Sequence, residues 1–335
     1  KKFEYKYIQQ ADKVIVITKE AKEYYLEEMT VSEDKFCIVP NTVRKAFYTN
    51  YELKTTITEQ YKDNFTVLYL GDTGLRRGMI TLIKSLKYLI EPIPNIKIVV
   101  VGNSKTDHIL QSLVTELGYE KYVDLKGWQN FELFPSYIIA SDIGVCPIHK
   151  NIHHETTYAN KIFQSLAFGK PIVVSDCKSQ VNVVETYECG LVFKDRNVQD
   201  FAEKILALYQ DKQLYQRLST NGKKAIEEKL NWGEIATALQ KLYQNICLII
   251  IFLIIIFIIC FVIFGRISSY IDLLYPSPDP NSTYLNLSEP ILNLFPLCLN
   301  SLKEHNYFRH NRFFRRRRLR CNLLLLRSIK SPDSF

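Results

Sequence analysis

At 335 residues and 47% apolar side chains, the chain is long enough for one large domain or two ordinary ones and can bury a substantial core. Its formal net charge is +8, but six of those charges fall in residues 265–335, so the nearly neutral remainder gives no indication of a nucleic-acid partner. Eight cysteines without a C-x-x-C pair favour reduced thiols in a cytosolic setting over disulfides or zinc sites.

Residues 1–43 are predicted to be the remnant of a preceding domain, ending in a hinge. They begin with the polar segment KKFEYKYIQQADK, so we expect no secretory signal peptide. The pattern then predicts a strand in ADKVIVIT, a helix in KEAKEYYLEE and a strand in KFCIVPNTV that leads to a hinge at Pro40-Asn41. Because one strand and one helix cannot bury a core alone, we expect the larger part of such a domain to be missing from the chain.

Residues 44–245 are predicted to form an α/β domain with a Rossmann-like, doubly wound parallel sheet. Short β-branched apolar runs alternate here with segments of helical period, which is typical of a parallel sheet covered by helices on both faces. The predicted strands are TVLYL (66–70), IKIVVV (96–101), YVDL (122–125), IGVCP (143–147), PIVVS (171–175) and LVF (191–193). Ligands of such sheets bind at the carboxyl ends of the strands. The loops expected to share that rim begin at Gly71, Gly102, Gly127 and Pro147.

The segment YLGDTGLRRGMITLIKSL (69–86) has the composition of a phosphate-binding turn. A strand ends at Gly71, two arginines follow, and Gly78 opens an amphipathic helix. Backbone N–H groups can approach a phosphate there, and Arg77 can pair with a diphosphate in a bidentate way. Gly102, after the next strand, leaves room for a ligand. Glycines such as Gly71 and Gly102 are also ordinary in strand-to-helix packing, so the turn alone is a weak indication of phosphate binding.

The segment HHETTYANKIFQSLAFGKPIVVSD (153–176) places a lysine where helices disfavour one. Lys161 follows Asn160 in the first turn of a predicted helix, although the helix dipole favours anions at that end, so a bound anion would explain its position. Gln164 lies on the same side of the helix, and Thr156 and Thr157 carry hydroxyls suited to sugar or ribose. The alternative is a solvated surface loop.

The adjacent His153 and His154 in this segment are residue types that can bind a metal ion. No Asp, Glu or Cys at ligand spacing accompanies the two histidines, and adjacent histidines do not readily bind one ion together. We therefore predict no metal.

Residues 246–264, ICLIIIFLIIIFIICFVIF, are 19 consecutive apolar residues. That length predicts a transmembrane helix, with a buried core helix as the alternative. The following residues 265–335 are predicted to be a basic, disordered tail containing RHNRFFRRRRLR. This run is compatible with contact to anionic lipid, with a nuclear signal or with a solvated tail, and everything after about residue 246 is also compatible with read-through beyond a natural end.

Taken in order, six segments resemble the C-terminal half of a family 4 glycosyltransferase with the GT-B fold. The resemblance covers roughly residues 1–245 and rests on the order and spacing of the segments. These are VIVITKEAKEYY, IVPNTV, LYLGDTGLRRG, IVVVGNSK, KGWQNFELFPSYIIASDIGVCPI and TTYANKIFQSLAFGKPIVVSD. It implies a retaining transferase whose C-terminal domain binds a UDP- or GDP-linked sugar as substrate, without a further cofactor, and whose N-terminal domain binds the acceptor.

The resemblance also assigns donor-binding roles to individual residues. Arg77 matches the cation that stabilises the leaving diphosphate, and Lys161 in "ANK" matches a "P-N-K" variant facing the donor. Gln164 stands at the second Glu of the family's Glu-x7-Glu motif, which binds ribose, and Thr156 stands at the first. The loops at Gly102 and Trp128 are expected to flank the base and the phosphates.

Departures from the family pattern bear on activity. Both Glu positions are replaced, and Asp72 stands where the first cation of the phosphate element is expected, next to the predicted diphosphate. Gln164 can still hydrogen-bond a ribose diol, so donor binding survives more easily than catalysis. The family's usual histidine from the acceptor half is absent, and no catalytic residue is assigned.

We therefore expect a glycosyltransferase that moves a sugar from its donor to a glycan or lipid-linked acceptor, and that is inactive or weakly active as this chain alone. The alternatives are a sugar-nucleotide epimerase of GT-B fold and a membrane-tethered interaction module without catalysis. A separate chain is a candidate source of the acceptor domain. The expected location is the membrane, with the catalytic domain on the cytoplasmic side.

Overall fold

A computed structural model describes residues 2–244 and residue 256 of the chain. Residues 2–242 belong to one compact unit. Its helices are α1 Lys2–Gln10, α2 Lys19–Glu28, α3 Lys45–Thr49, α4 Thr55–Tyr61, α5 Met79–Lys84, α6 Leu86–Leu89, α7 Asp107–Glu116, α8 Phe134–Ile139, α9 Ile152–Glu155, α10 Asn160–Ala167, α11 Lys178–Tyr187, α12 Val198–Gln210 and α13 Lys212–Glu228. Its strands are β1 Val14–Val16, β2 Phe36–Ile38, β3 Phe65–Leu70, β4 Ile96–Val101, β5 Val123–Gly127, β6 Ile143–Cys146, β7 Ile172–Ser175 and β8 Gly190–Phe193.

The main sheet is parallel, with its six strands in the order β5-β4-β3-β6-β7-β8. The six strands predicted from the apolar runs are confirmed, each within two residues at either end. The chain starts at the centre with β3, moves outward to β5, returns to β6 beside β3, and then moves out the other way. This is a doubly wound Rossmann-like sheet, and its topological switch point lies between β3 and β6, where ligands of such sheets bind.

The strands are apolar on both faces because helices cover both faces. In β3, Val67 and Tyr69 belong to the core cluster that packs with α5, α7 and α12. The alternate residues Leu68 and Leu70 pack on the opposite face with Tyr61 of α4 and with α8. This alternation follows from the two-residue repeat of a strand. The near-continuous hydrophobic runs in the sequence therefore correspond to strands without a solvent-facing side.

Residues 2–39 form a separate layer, here called the N-terminal lobe. Strands β1 and β2 pair in parallel, and α1 and α2 pack against them around a small core that includes Ile8, Val14 and Phe36. The predicted strand–helix–strand order is confirmed, whereas the polar start of the chain is also helical and was not predicted so. Lobe residues therefore bury a small core of their own, because α1 adds Ile8 to it.

After α13 the chain returns to the segment that follows the N-terminal lobe. Trp232 donates its backbone N–H to the carbonyl of Val43, and Thr42 donates its hydroxyl to the carbonyl of Leu230. A helical stretch over residues 232–244 follows. These bonds fasten the predicted hinge region to the sheet domain.

Within residues 2–244, no helix is both long and apolar enough to cross a membrane. The predicted span at 246–264 lies, apart from the helical residue Ile256, outside the described residues. The predicted basic tail at 265–335 lies outside them too.

Candidate functional site

Backbone contacts join the loops after β3, β4 and β5 at the rim of the sheet. Gly71 donates its N–H to the carbonyl of Val101, and Gly102 donates to the carbonyl of Gly127, both at 2.8 Å. Gly102 has φ of 138°, and a Cβ atom there would lie 1.9 Å from the carbonyl oxygen of Gly71. Only glycine permits this approach, so the predicted shared rim is built from direct contacts between the loops.

The turn that carries Arg77 packs against the loop after β6. Gly78 has φ of 76°, and a Cβ atom there would lie 1.7 Å from the carbonyl oxygen of Pro147. His149 donates its backbone N–H to the carbonyl of Arg76 at 3.0 Å. These contacts bring the turn between β3 and α5 beside the loop that leads to Lys161. The two predicted cations therefore occupy neighbouring loops at the switch point.

Arg77 is paired with Asp72 within the turn. Its Nε donates to Asp72 Oδ2 at 3.1 Å, and Asp72 Oδ1 accepts the N–H of Gly74 at 2.9 Å. Burial tends to raise the pKa of Asp72, but the hydrogen bonds from Gly74 and Arg77 outweigh it and the pKa is lowered. The negative charge of Asp72, which the sequence places beside the predicted diphosphate, is therefore paired with the guanidinium of Arg77.

His154 supports the same guanidinium from the other side. Arg77 Nη1 lies 3.1 Å from His154 Nε2, and His154 Nδ1 lies 2.6 Å from the carbonyl oxygen of His149. A guanidinium only donates, so Nε2 accepts and the proton sits on Nδ1, where it is donated to His149. Burial, joined by the charge of Arg77, lowers the pKa of His154 to about 4 even though the bond to His149 opposes it. His154 is therefore neutral at physiological pH.

Lys161 is partly buried at the start of α10, and its ammonium has no ion-pair partner in the described part of the chain. Nζ lies 4.6 Å from the centroid of the Tyr69 ring and 3.7 Å from the point that a Cβ atom of residue 71 would occupy. Among the described residues it makes neither a hydrogen bond nor an ion pair. Burial, and after it the positive charge of Arg77, lower the pKa of Lys161. Arg77 and Lys161 thus lie on the same edge, separated by the Gly71–Asp72 turn.

The loop before α10 carries a run of backbone N–H groups without an acceptor among the described residues. The N–H groups of residues 157–161 make no hydrogen bond within the described part of the chain. Thr156 donates its hydroxyl to the carbonyl of Ile152 at 2.7 Å, so its proton is engaged inside α9. Unpaired N–H groups at a helix start attract anions, because they add to the positive end of the helix dipole. Lys161 belongs to this same run.

The other predicted donor-binding residues differ in exposure. Gln164 is 9% exposed and makes no side-chain hydrogen bond among residues 2–244. Asn160 is exposed as the first residue of α10, and Thr157 is partly buried in the loop before it. Trp128 is 60% exposed directly after β5. Their roles in donor binding stay predictions.

A pocket of about 280 Å³, not predicted from sequence, lies between the ends of β4 and β5 and the start of α7. Its lining includes Gly102, Gly127, Thr73 and Asp107. Asp107 accepts the hydroxyl of Thr73 and, at 3.0 Å, the backbone N–H of Ser104. One carboxylate therefore ties the turn after β3 to the loop after β4, beside the loops that were expected to flank a base.

Metal binding by His153 and His154 gains no support from the geometry. In the described part of the chain, no group of three or more His, Cys, Asp or Glu side chains could hold a metal ion. His154 is engaged with Arg77 and His149.

Several known glycosyltransferases resemble the chain in sequence. It is 23% identical over 202 residues to the capsular polysaccharide biosynthesis glycosyltransferase CapM of Staphylococcus aureus, covering 58% of this chain and 50% of that protein. It is 34% identical over 107 residues to an N,N'-diacetylbacillosaminyl-diphospho-undecaprenol α-1,3-N-acetylgalactosaminyltransferase of Campylobacter jejuni, covering 31% of this chain and 26% of that protein. The chain spans about half the length of several relatives it matches.

Solved structures resemble the fold. Sucrose-phosphate synthase of Thermosynechococcus elongatus superposes with a TM-score of 0.61 at 21% identity, over 72% of this chain and 60% of that one. Anabaena Alr3699/HepE in complex with UDP gives 0.61 at 17% identity, over 71% and 64%. The described fold is therefore that of a GT-B half. The sequence model described as "Glycosyl transferases group 1" matches residues 52–225, which is more than half of the chain. The chain belongs to the group 1 glycosyltransferase family.

Proposed function

We propose that the chain is the donor-binding half of a retaining glycosyltransferase that uses a UDP- or GDP-linked sugar. The observation that carries this proposal is the convergence of Arg77 and Lys161 on the two sides of the Gly71–Asp72 turn. The N–H groups of residues 157–161, which have no partner among the described residues, lie in the loop beside them. Two cations and several amide donors at one edge suit a diphosphate. Family membership and neighbours such as HepE, solved with UDP and with UDP-glucose, support it.

In the proposed reaction the diphosphate leaves the sugar as an anion. Arg77 and Lys161 would offset the charge that develops on it, and the N–H groups of residues 157–161 would donate hydrogen bonds to its oxygens. Gln164, which makes no bond within the described residues, would hydrogen-bond ribose hydroxyls. The pocket between β4 and β5, near the loops at Gly102 and Trp128, would take the base.

Because these cations would supply the countercharge, we propose that donor binding needs no divalent metal. The acceptor is proposed to be a glycan or a lipid-linked saccharide. The Campylobacter jejuni relative is named for transfer to a diphospho-undecaprenol-linked sugar, which supports the lipid-linked class. The apolar run at 246–264 supports membrane association, and we propose that the catalytic domain lies on the cytoplasmic side.

Outside the sheet domain, residues 2–39 supply only the small N-terminal lobe. We therefore propose that this chain alone binds the donor but transfers sugar slowly or not at all, and that further residues, for example on a separate chain, complete the acceptor side.

Calorimetric titration with UDP, GDP and their sugars, with and without EDTA, tests donor binding. We expect binding of at least one nucleotide, unaffected by EDTA. Product analysis with lipid-linked acceptors tests transfer, and incubation without an acceptor would reveal an epimerase. No affinity for any of these nucleotides would refute the proposal and favour a non-catalytic interaction module.

A further inference from the structure

Buried donors hold the loop before α10 by its carbonyl oxygens, and one of them comes from the N-terminal lobe. Thr18 Oγ1 donates to the carbonyl of Thr156 at 2.7 Å. The carbonyl of Thr157 accepts from Gln180 Nε2 at 2.7 Å and from Ser179 Oγ at 3.0 Å. The side chains of Thr18, Ser179 and Gln180 are fully buried. Two successive peptide groups of the loop are therefore fixed in orientation.

This arrangement also sets the direction of two backbone N–H groups. In a trans peptide the N–H of one residue points opposite to the carbonyl of the residue before it. Because the carbonyl of Thr156 points to Thr18, the N–H of Thr157 points away from the N-terminal lobe. Likewise the N–H of Tyr158 points away from Gln180. Both belong to the run of N–H groups without a partner among the described residues.

Thr18 performs two tasks with one hydroxyl. It accepts the N–H of Ala21 at 2.9 Å and so caps α2, while its proton goes to the carbonyl of Thr156. A hydroxyl can accept and donate at the same time, so the cap and the loop contact do not compete. A second bond joins the same elements, because Asn182 of α11 donates to Glu20 in the first turn of α2 at 2.9 Å. The start of α2 is thus attached to the loop and to the helix that braces it.

We propose that Thr18 is a positioning residue for donor binding, through which the N-terminal lobe presents the N–H of Thr157 to the diphosphate. The proposal rests on the proposed function, since it needs a nucleotide diphosphate at this edge. It makes the N-terminal lobe part of the donor site, although no lobe residue needs to touch the donor. Loss of the bond from Thr18 frees the 156–157 peptide to rotate and lowers affinity.

Three substitutions separate the two tasks of Thr18. Thr18→Ser keeps both hydrogen bonds, Thr18→Asp keeps an acceptor for Ala21 but removes the donor to Thr156, and Thr18→Val removes both. Val14→Ala is the matched control, because Val14 is a buried residue of the lobe core in β1 and its truncation weakens the lobe through packing. The affinity for UDP and GDP and the melting temperature are measured for each full chain.

For the nucleotide that binds better, we expect Thr18→Asp and Thr18→Val to raise Kd roughly fivefold to tenfold, as loss of one ordered hydrogen bond implies. Thr18→Ser and Val14→Ala should stay within about twofold of the unsubstituted chain, although Val14→Ala melts earlier. Should Thr18→Val not fold, Thr18→Asp carries the test because it keeps the helix cap. Unchanged affinity in Thr18→Asp, or an equal loss in Val14→Ala, would overturn the proposal. A failure of the proposed function is distinct, because then the unsubstituted chain binds neither nucleotide.

Discussion

Replacing Lys161 with methionine should weaken nucleotide binding while stabilising the empty protein. The ammonium lies over the Tyr69 ring and makes neither a hydrogen bond nor an ion pair among the described residues, and burial lowers its pKa. A charged amine in that position costs free energy until an anion arrives. Methionine has nearly the same length and removes only the charge, so the empty fold should gain stability.

The size of the binding effect follows from the charges involved. A unit charge pair at about 4 Å is worth about 4 kcal/mol at an effective dielectric constant near 20. After desolvation, a hydrogen bond to a charged group keeps about 1.5–3 kcal/mol, which corresponds to a roughly 10- to 150-fold rise in Kd. In the empty fold, a gain of about 1 kcal/mol would raise the melting temperature by about 2–4 °C for a unit of this size.

Isothermal titration with UDP or GDP and a thermal melt of the same samples measure both effects. Lys170 offers a matched control, because it too is partly buried with a pKa that burial lowers, but it donates to the carbonyl of Ile139 and faces Asp142 at the opposite edge of the sheet. Lys170→Met should lower the melting temperature and leave Kd within about twofold, because it breaks a bond far from the rim. If Lys161→Met leaves Kd unchanged, or lowers affinity and melting temperature together, the reasoning is refuted.

Three further changes probe the same rim. Asp72→Asn keeps an acceptor for the N–H of Gly74 but removes the ion pair with Arg77, so calorimetry should show UDP binding roughly threefold tighter. Weaker binding would contradict the idea that Asp72 competes with phosphate for Arg77. Folding lowers the pKa of His154 from 6.5 to about 4, so as the pH falls the unfolded chain takes up a proton at this residue before the folded chain does. The free energy of unfolding should therefore fall by up to about 3 kcal/mol as the pH decreases from 6.5 to 4. His154→Gln should flatten that part of the denaturation profile, and an unchanged slope would exclude His154 as its source. Gly78→Ala should cost about 2–4 kcal/mol in urea unfolding, because its Cβ would overlap the carbonyl of Pro147, and a neutral result would show that the turn can relax.

The sheet and the placement of the cations followed from sequence because they depend on local patterns. Apolar runs located the strands, and the carboxyl ends of parallel strands share one rim in any doubly wound sheet. Arg77 follows β3 and Lys161 follows β6, and these strands are neighbours in the sheet. Their common edge was therefore predictable before any contact was known.

Contacts between distant segments left no such pattern. The bond from Thr18 to Thr156 spans 138 residues, and that from Arg77 to His154 spans 77. In the sequence, Thr18 has only the pattern of an ordinary cap before a helix, and His154 is only one of two adjacent histidines. The sequence also does not show that Asp72 points toward Arg77, because a carboxylate beside an expected phosphate can point toward the phosphate or away from it.

The features of Lys161 that are unfavourable in the empty protein all act in the same direction. Its charge opposes the helix dipole at the start of α10, it is removed from water without an ion pair among the described residues, and Arg77 adds repulsion. The nearby carboxylate, Asp72, is bound to Arg77 instead. An anion bound between the two cations would offset these terms, because it is attracted by both charges and by the dipole. Departures from local rules of stability are expected at functional sites, so the unfavourable position of Lys161 supports the proposal that an anion binds beside it.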